Sequence, residues 1–417
     1  MKILLKNATL IQQKCPFHNQ KKDVLVVDGI LTQIEDQISI NDAKLIEYQD
    51  LHLSSGWFDP CVSFGEPGYE ERETLSNGLM TAAKSGFTQI VLNPDTHPAL
   101  DSYTDVSHLL QQTENQTTAL HISASLSEGS KGKNLAPLFE MHKAGALAFG
   151  DFNQTLKNPN LLRIALDYVQ SFDGLIQAYP LNSNLSNDGQ MHEGEVSTNL
   201  GLKAIPHVAE TSSLARDIQL LEYTQGRMHI PYISAAMSVK LIRNAKKKGL
   251  NISCGVPIAH LHATDENLIG FDANFKIIPP LRNSKDQRAL REGLLDGTID
   301  MVTSLHQPLN PELKDLEFVR AKEGSIGLEA AFGILLNYFP LDKVITFLTR
   351  GKKAFKIEDS GFKIGSIADL TFFSPKGTST LEKANLHSSS KNCLFLDSTI
   401  KGTVYGSIRG KSIQYNN

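Results

Sequence analysis

The side chains of this chain that could hold a metal or take part in bond cleavage are few, and each admits a second reading. Cys61 is a chemically good zinc ligand, Asp151 an acceptable one, and His306, in the run His306-Gln307-Pro308, could complete a mononuclear site. The plainer reading is that Cys61 and Ser63 fill space, Asp151 accepts hydrogen bonds, and His306 packs against a loop. The sole His-x-His is His260 and His262. Two imidazoles at i and i+2 grip a metal when they project from one face of a strand. This pair lies past an expected strand, where a loop contact is the simpler role. Tyr179 and Tyr232 could donate to a ligand or occupy volume. Arg282 could anchor a phosphate or carboxylate, or pair with Asp286 four residues on.

Eight short apolar runs would position these groups: Gly56 to Ser63, Phe87 to Asn93, Ala119 to Leu126, Gly145 to Asp151, Gly174 to Tyr179, Arg227 to Ser234, Asn251 to Val256 and Asp300 to Leu305. Between them lie amphipathic patterns. Leu214, Ile218 and Leu221 close at Gly226, and Val239, Ile242 and Ala245 open at Ser234 and close at Gly249. Another starts at Ser284, with Gln287 completing a capping box, and stops at Gly297. Continuous rather than alternating apolar strands, each followed by a helix, predict an α/β protein whose parallel sheet closes into a (β/α)8 TIM-type barrel over 54–359. Both termini break the pattern. Lys2 to Ile11, Asp23 to Val27, Leu31 to Ile34, Ala368 to Phe373, Asn392 to Asp397 and Thr399 to Tyr405 read as strands between Gly, Asp and Asn turns. They predict one small β domain built from 1–53 and 360–417, and the polar stretch Lys376 to Ser390 reads as a mobile loop.

A chain of 417 residues, 41% hydrophobic and 21% charged, is long enough for such a barrel with a smaller domain. A formal net charge of -4 gives no basic field for nucleic acid, and Lys246 to Lys248 read as the solvated end of a helix. Met1 to Gln12 has neither an apolar core nor a cleavage site, and no stretch is long enough to span a bilayer, so a cytoplasmic protein without a membrane partner is expected. Cys15, Cys61, Cys254 and Cys393 are too scattered for a disulfide framework and read as free thiols.

In a barrel the chemistry sits just past the strand ends. There the segment Asp59-Pro60-Cys61-Val62-Ser63-Phe64-Gly65-Glu66-Pro67-Gly68 resembles the dihydroorotases of the amidohydrolase superfamily, whose pattern is Asp-x-His-x-His-x-Arg, an acidic residue, Pro and Gly. The resemblance runs on through Asn93-Pro94-Asp95-Thr96-His97-Pro98, Gly194-Glu195-Val196-Ser197, Phe275 to Arg282, Asp296 to Asp300, Gly327-Leu328-Glu329 and Gly365 to Leu370. What is shared is scaffold. Of the six ligand positions that the resemblance implies, Cys61, Ser63, Asp151, Tyr179, Tyr232 and Leu305, only Asp151 keeps the family residue. Leu305 stands where the family has an Asp that binds metal and shuttles the proton, and leucine does neither. The substrate-pocket positions differ in parallel: Gly65 replaces the clamping Arg, Asp95 replaces an Asn, and Ile278 another Asn, while His306 lies in a retained run.

The resemblance therefore implies a catalytically defective homologue acting in pyrimidine biosynthesis, with no cofactor expected. Its implied role is a non-catalytic scaffold and oligomeric partner of aspartate carbamoyltransferase. The alternative is an active cyclic-amide hydrolase of dihydroorotase, hydantoinase or allantoinase type, with zinc in an altered site that uses Cys61 and Asp151.

Overall fold

The computed structural model describes residues 1–13 and 15–416. In chain order, five strands precede the barrel: β1 (Lys2–Leu10), β2 (Lys21–Val27), β3 (Ile30–Glu35), β4 (Lys44–Ile46) and β5 (His52–Ser55). The barrel strands follow as β6 (Trp57–Val62), β7 (Phe87–Leu92), β8 (Ala119–Ala124), β9 (Ala148–Phe149) and β10 (Ile176–Gln177). After a small parallel pair, β11 (Met191–His192) with β12 (Ala204–Ile205), come β13 (Met228–Ile230), β14 (Ile252–Pro257) and β15 (Met301–Thr303). Last are β16 (Asp369–Thr380), β17 (Thr399–Arg409) and β18 (Ser412–Tyr415).

The eight expected barrel strands form one parallel sheet in the order β6-β7-β8-β9-β10-β13-β14-β15. Every residue of β6 and β7 is buried, as expected of strands covered on both faces. The seam between β15 and β6 is closed by hydrogen bonds: Ser63 N donates to His306 O (2.8 Å), Ser304 N to Asp59 Oδ2 (2.8 Å) and Thr303 Oγ1 to Asp59 Oδ1 (2.7 Å). Asp59 is thus the tie that shuts the barrel.

A second sheet is built from both ends of the chain in the order β18-β17-β16-β5-β1-β2-β3, with β4 beside β1. It packs on the barrel through Trp57, whose ring lies 4.8 Å from Phe332 and 5.6 Å from Phe373. Gly56 sits at the junction, where a Cβ would fall 2.0 Å from both Asp369 Oδ1 and Thr88 Oγ1.

Several local expectations are corrected. Asn392 to Asp397 forms turns instead of a strand, because Asn392 and Leu394 are held by Gln307, Gly324 and Ser325. The stretch Lys376 to Ser390 is not a free loop: β16 runs to Thr380, and Ser388 and Ser390 are buried against Glu73 and Arg72. The helix Ser284–Leu295 is capped by Asn283, which accepts from Lys285 N (3.0 Å) and Asp286 N (3.1 Å), while Gln287 reaches away to Ala263 O. The helix Ala236–Lys247 begins two residues after Ser234, and the carboxylate of Glu210 accepts from the amides of Ser234 and Ala235 just ahead of it. Asp286 caps it from the next helix, accepting from Ala236 N (2.8 Å).

Candidate functional site

The mouth of the barrel is made where β6 to β15 end, and the implied ligand positions do gather there. Cys61, Tyr179, Tyr232 and Leu305 belong to one buried cluster with Leu181, Ile205 and Ala209, and Phe152 and Ile278 pack against it. Tyr179 and Tyr232 meet edge to face, ring centres 5.6 Å apart. A cavity that reaches Leu305 and Ile278 measures only about 10 Å³, room for one water at most.

Most of the polar groups at the mouth bond to one another or to the backbone. The thiol of Cys61 donates to Asn93 Oδ1 (3.3 Å), and burial pushes its pKa well above the usual range. Asn93 Nδ2 donates to Ser63 Oγ (3.1 Å), and Ser63 Oγ donates to Asp95 Oδ1 (2.9 Å). Burial raises Asp95 to about 6, opposed by Ser63 and Arg72. Asp151 accepts from Leu126 N (2.9 Å) and Ser127 N (3.0 Å) through one oxygen and from Ser127 Oγ through the other. Its carboxylate anchors the loop after β8. Tyr232 donates to Asn153 Oδ1, whereas Tyr179 Oη has no partner among the described residues.

His306 does not join Cys61 and Asp151. Its Nδ1 accepts from Gly327 N (3.3 Å), which fixes the tautomer, and its Nε2 donates to Glu73 Oε2 (3.0 Å). Burial alone would raise Glu73, but His306 and Ser388 hold it below the usual carboxylate range. His260 and His262 diverge: His260 Nε2 turns to the carbonyls of Pro279 (3.1 Å) and Pro280 (3.2 Å), and His262 contacts Tyr338 and Ser398. Among the described residues no group of three or more His, Cys, Asp or Glu side chains comes together in a way that could hold a metal ion.

Two of the implied pocket and ligand positions have a positive φ. Gly65 has φ +127°, and a Cβ there would fall 2.4 Å from Tyr69 O, so this turn has no room for a side chain. Leu305 has φ +46°. That left-handed conformation suits Asn, Asp or Gly and costs leucine about 1–2 kcal/mol.

Arg282 reaches neither an open pocket nor Asp286. Its Nε donates to Ser234 Oγ (3.0 Å), its Nη1 to Ile205 O (3.0 Å) and His192 Nδ1 (3.2 Å), and its Nη2 lies 3.7 Å from Glu210 Oε2. Glu210 also accepts from Ser238 Oγ (2.5 Å), besides Ser234 and Ala235. This buried pair ties the helix His207–Thr224 to the ends of β12 and β13. Glu210, Glu73 and Arg72 are missed by sequence reading, and Asn93 enters it only as the first residue of a motif. Arg72 alone carried a signal, as a cation seven residues after Gly65 in a turn-rich segment, and its guanidinium lies over the Tyr69 ring at 3.9 Å.

A family model for dihydro-orotase-like proteins matches residues 53–238. A protein named dihydroorotase from Pelotomaculum thermopropionicum is 34% identical over 98% of this chain and 97% of its own length. Another of that name, from Syntrophus aciditrophicus, is 35% identical over 97% of each chain. Among solved structures, the L-hydantoinase (dihydropyrimidinase) of Arthrobacter aurescens superposes with a TM-score of 0.87 at 19% identity, covering 99% of this chain and 95% of that one. The dihydropyrimidinase of Brevibacillus agri gives 0.85 at 20%, covering 100% and 95%. The fold is therefore the TIM barrel with a small β domain that these solved structures share, and the match along nearly the whole chain places this protein in the dihydroorotase family.

Proposed function

We infer that this member of the dihydroorotase family does not catalyse ring hydrolysis and acts as a structural partner in pyrimidine biosynthesis, with aspartate carbamoyltransferase as the expected companion. The observation that carries this reading is the state of the six implied ligand positions. Four are packed in one apolar cluster, Ser63 is engaged with Asp95, and the carboxylate of Asp151 accepts three hydrogen bonds from the loop it anchors. A divalent metal needs several deprotonated donors converging on one point, and this donor set does not fit one. An attacking water would then keep a pKa of about 16, far from the value near 7 that zinc confers. The proton shuttle is lost too, because Leu305 cannot carry a proton to a leaving nitrogen.

Loss of the ligands with retention of the fold is compatible with a cytoplasmic, oligomeric scaffold. No helix among the described residues is long and apolar enough to cross a membrane. The partner role is tested by mixing the purified protein with the carbamoyltransferase and measuring mass by light scattering. A mixed oligomer is expected, and separate species at excess partner would refute the role. Reintroducing His at 61, 63, 179 and 232 and Asp at 305 is expected to restore zinc binding to the folded protein; a folded variant that takes up no zinc would show that more than the ligands has changed.

The second reading, an active cyclic-amide hydrolase with zinc in an altered site, is favoured by one observation: the relatives are named dihydroorotases. It requires turnover by the native protein that Cys61→Ala or Asp151→Ala abolishes.

A further inference from the structure

At the opposite end of the barrel from Cys61, a cavity of about 690 Å³ opens between the starts of β7, β8 and β9 and the second sheet. This volume lies within the range of small-molecule sites, about 300–1,000 Å³, and the junction of two sheets is a usual place for one. Gln89, His121, Lys363, Asp369 and Arg409 are among its walls.

The polar groups on one wall are ordered. Lys352 Nζ donates to Asp369 Oδ2 (3.0 Å), Gln89 Nε2 donates to the same oxygen (2.8 Å), and Gln89 Oε1 accepts from His121 Nε2 (3.0 Å). Lys352 offsets the charge of Asp369, whose Oδ1 is buried without a hydrogen-bond partner among the described residues, and the contact with Gln89 fixes the proton of His121 on Nε2. His121 Nδ1 is left as an acceptor with no partner among the described residues. Of the other charges around the cavity, Lys356 is engaged with Asp173. That leaves Arg409 and Lys363 against the exposed Glu358. Arg409 makes no ion pair and no side-chain hydrogen bond among the described residues, although a guanidinium presents five donors. A half-buried cation, a second cation and an unfilled acceptor thus face one space much larger than a single ion.

We propose that this cavity binds a small anionic metabolite whose phosphate or carboxylate group pairs with Arg409 and Lys363 and whose hydroxyl or N–H donates to His121 Nδ1. The site is independent of the barrel mouth and does not rest on the reading of this protein as non-catalytic. Phosphate and carboxylate share the chemistry that Arg409 recognises, so the probes must separate them.

The test is calorimetric titration of the full chain at about 0.15 M salt, where weak surface attraction is screened, with pyrophosphate and with succinate. Saturable binding of one probe to one site, weakened at least tenfold in Arg409→Gln, is expected, and the probe that binds identifies the anion class. Because Arg409 pairs with Asp369 in the sheet, Lys363→Gln, at an exposed position, serves as a second variant and is expected to weaken binding several-fold. Absence of saturable binding by either probe, or binding that is unchanged in both variants, would overturn the proposal.

Discussion

Asp95 stands where the family resemblance implies an asparagine, and the replacement carries an energetic cost that can be measured. Burial raises its carboxyl from 3.8 to about 6, against the opposing hydrogen bond from Ser63 and the charge of Arg72. The unfolded chain therefore releases this proton first. Below about pH 4 both states are protonated and the group contributes nothing. Between about 4 and 6 the folded state holds the extra proton, so stability falls as pH rises through that window and the deficit persists above it. A shift of this size corresponds to about 3 kcal/mol at 1.4 kcal/mol per unit. Asp95 keeps some contact with solvent, and screening reduces the expected deficit to about 1–2 kcal/mol. Asp95→Asn retains an oxygen for Ser63 Oγ and removes the charge. It is expected to raise the thermal midpoint at pH 7.5 by about 2 °C and to leave it unchanged at about pH 3, below both pKa values. A gain of equal size at both pH values, or a loss at pH 7.5, would refute the assignment of the cost to a desolvated carboxylate.

Other perturbations follow from the same packing. Glu210→Ala removes the acceptor for Ser234, Ala235 and Ser238 and leaves Arg282 without its counter-ion, so a loss of about 3–5 kcal/mol is expected in denaturant unfolding; a loss below 1 kcal/mol would contradict the buried-pair account. Of the four thiols only Cys15 is partly accessible, so a thiol reagent should modify one cysteine in the native protein and four after denaturation, with fast reaction at Cys61 as the contrary result. Leu305→Ala is expected to cost about 2–4 kcal/mol, because it removes a buried side chain from the apolar cluster without relieving the left-handed backbone; a neutral substitution would mean that the cluster is loosely packed.

The barrel was legible because both faces of its strands are covered, which makes Trp57–Val62 and Phe87–Leu92 continuous apolar runs. Short strands such as Ala148–Phe149 and Ile176–Gln177 were found from their flanking turns as much as from their own two residues. The separation of Cys61 and Asp151 from His306 was not legible. His306 is held by Glu73, 233 residues earlier in the chain, and no local pattern marks such a pair. Glu210 was hidden for the same reason: it is a buried acid on a mixed helix face, and its meaning comes from the amides of Ser234 and Ala235 that it faces. The Asn392 segment was misread as a strand because its apolar run, Cys393 to Phe395, packs on the barrel core without pairing to a neighbouring strand. Capping was misassigned at Ser284 because Asn283, one residue earlier, is the better acceptor and has the extended backbone of a cap.

The central claim is that the implied metal positions are filled by side chains that cannot hold a metal together. It is tested most directly by measuring zinc in protein purified without chelator and dihydroorotate hydrolysis by the same sample. The account predicts less than stoichiometric zinc, and no turnover above background with or without added zinc. One zinc per chain together with turnover that Cys61→Ala or Asp151→Ala abolishes would contradict it.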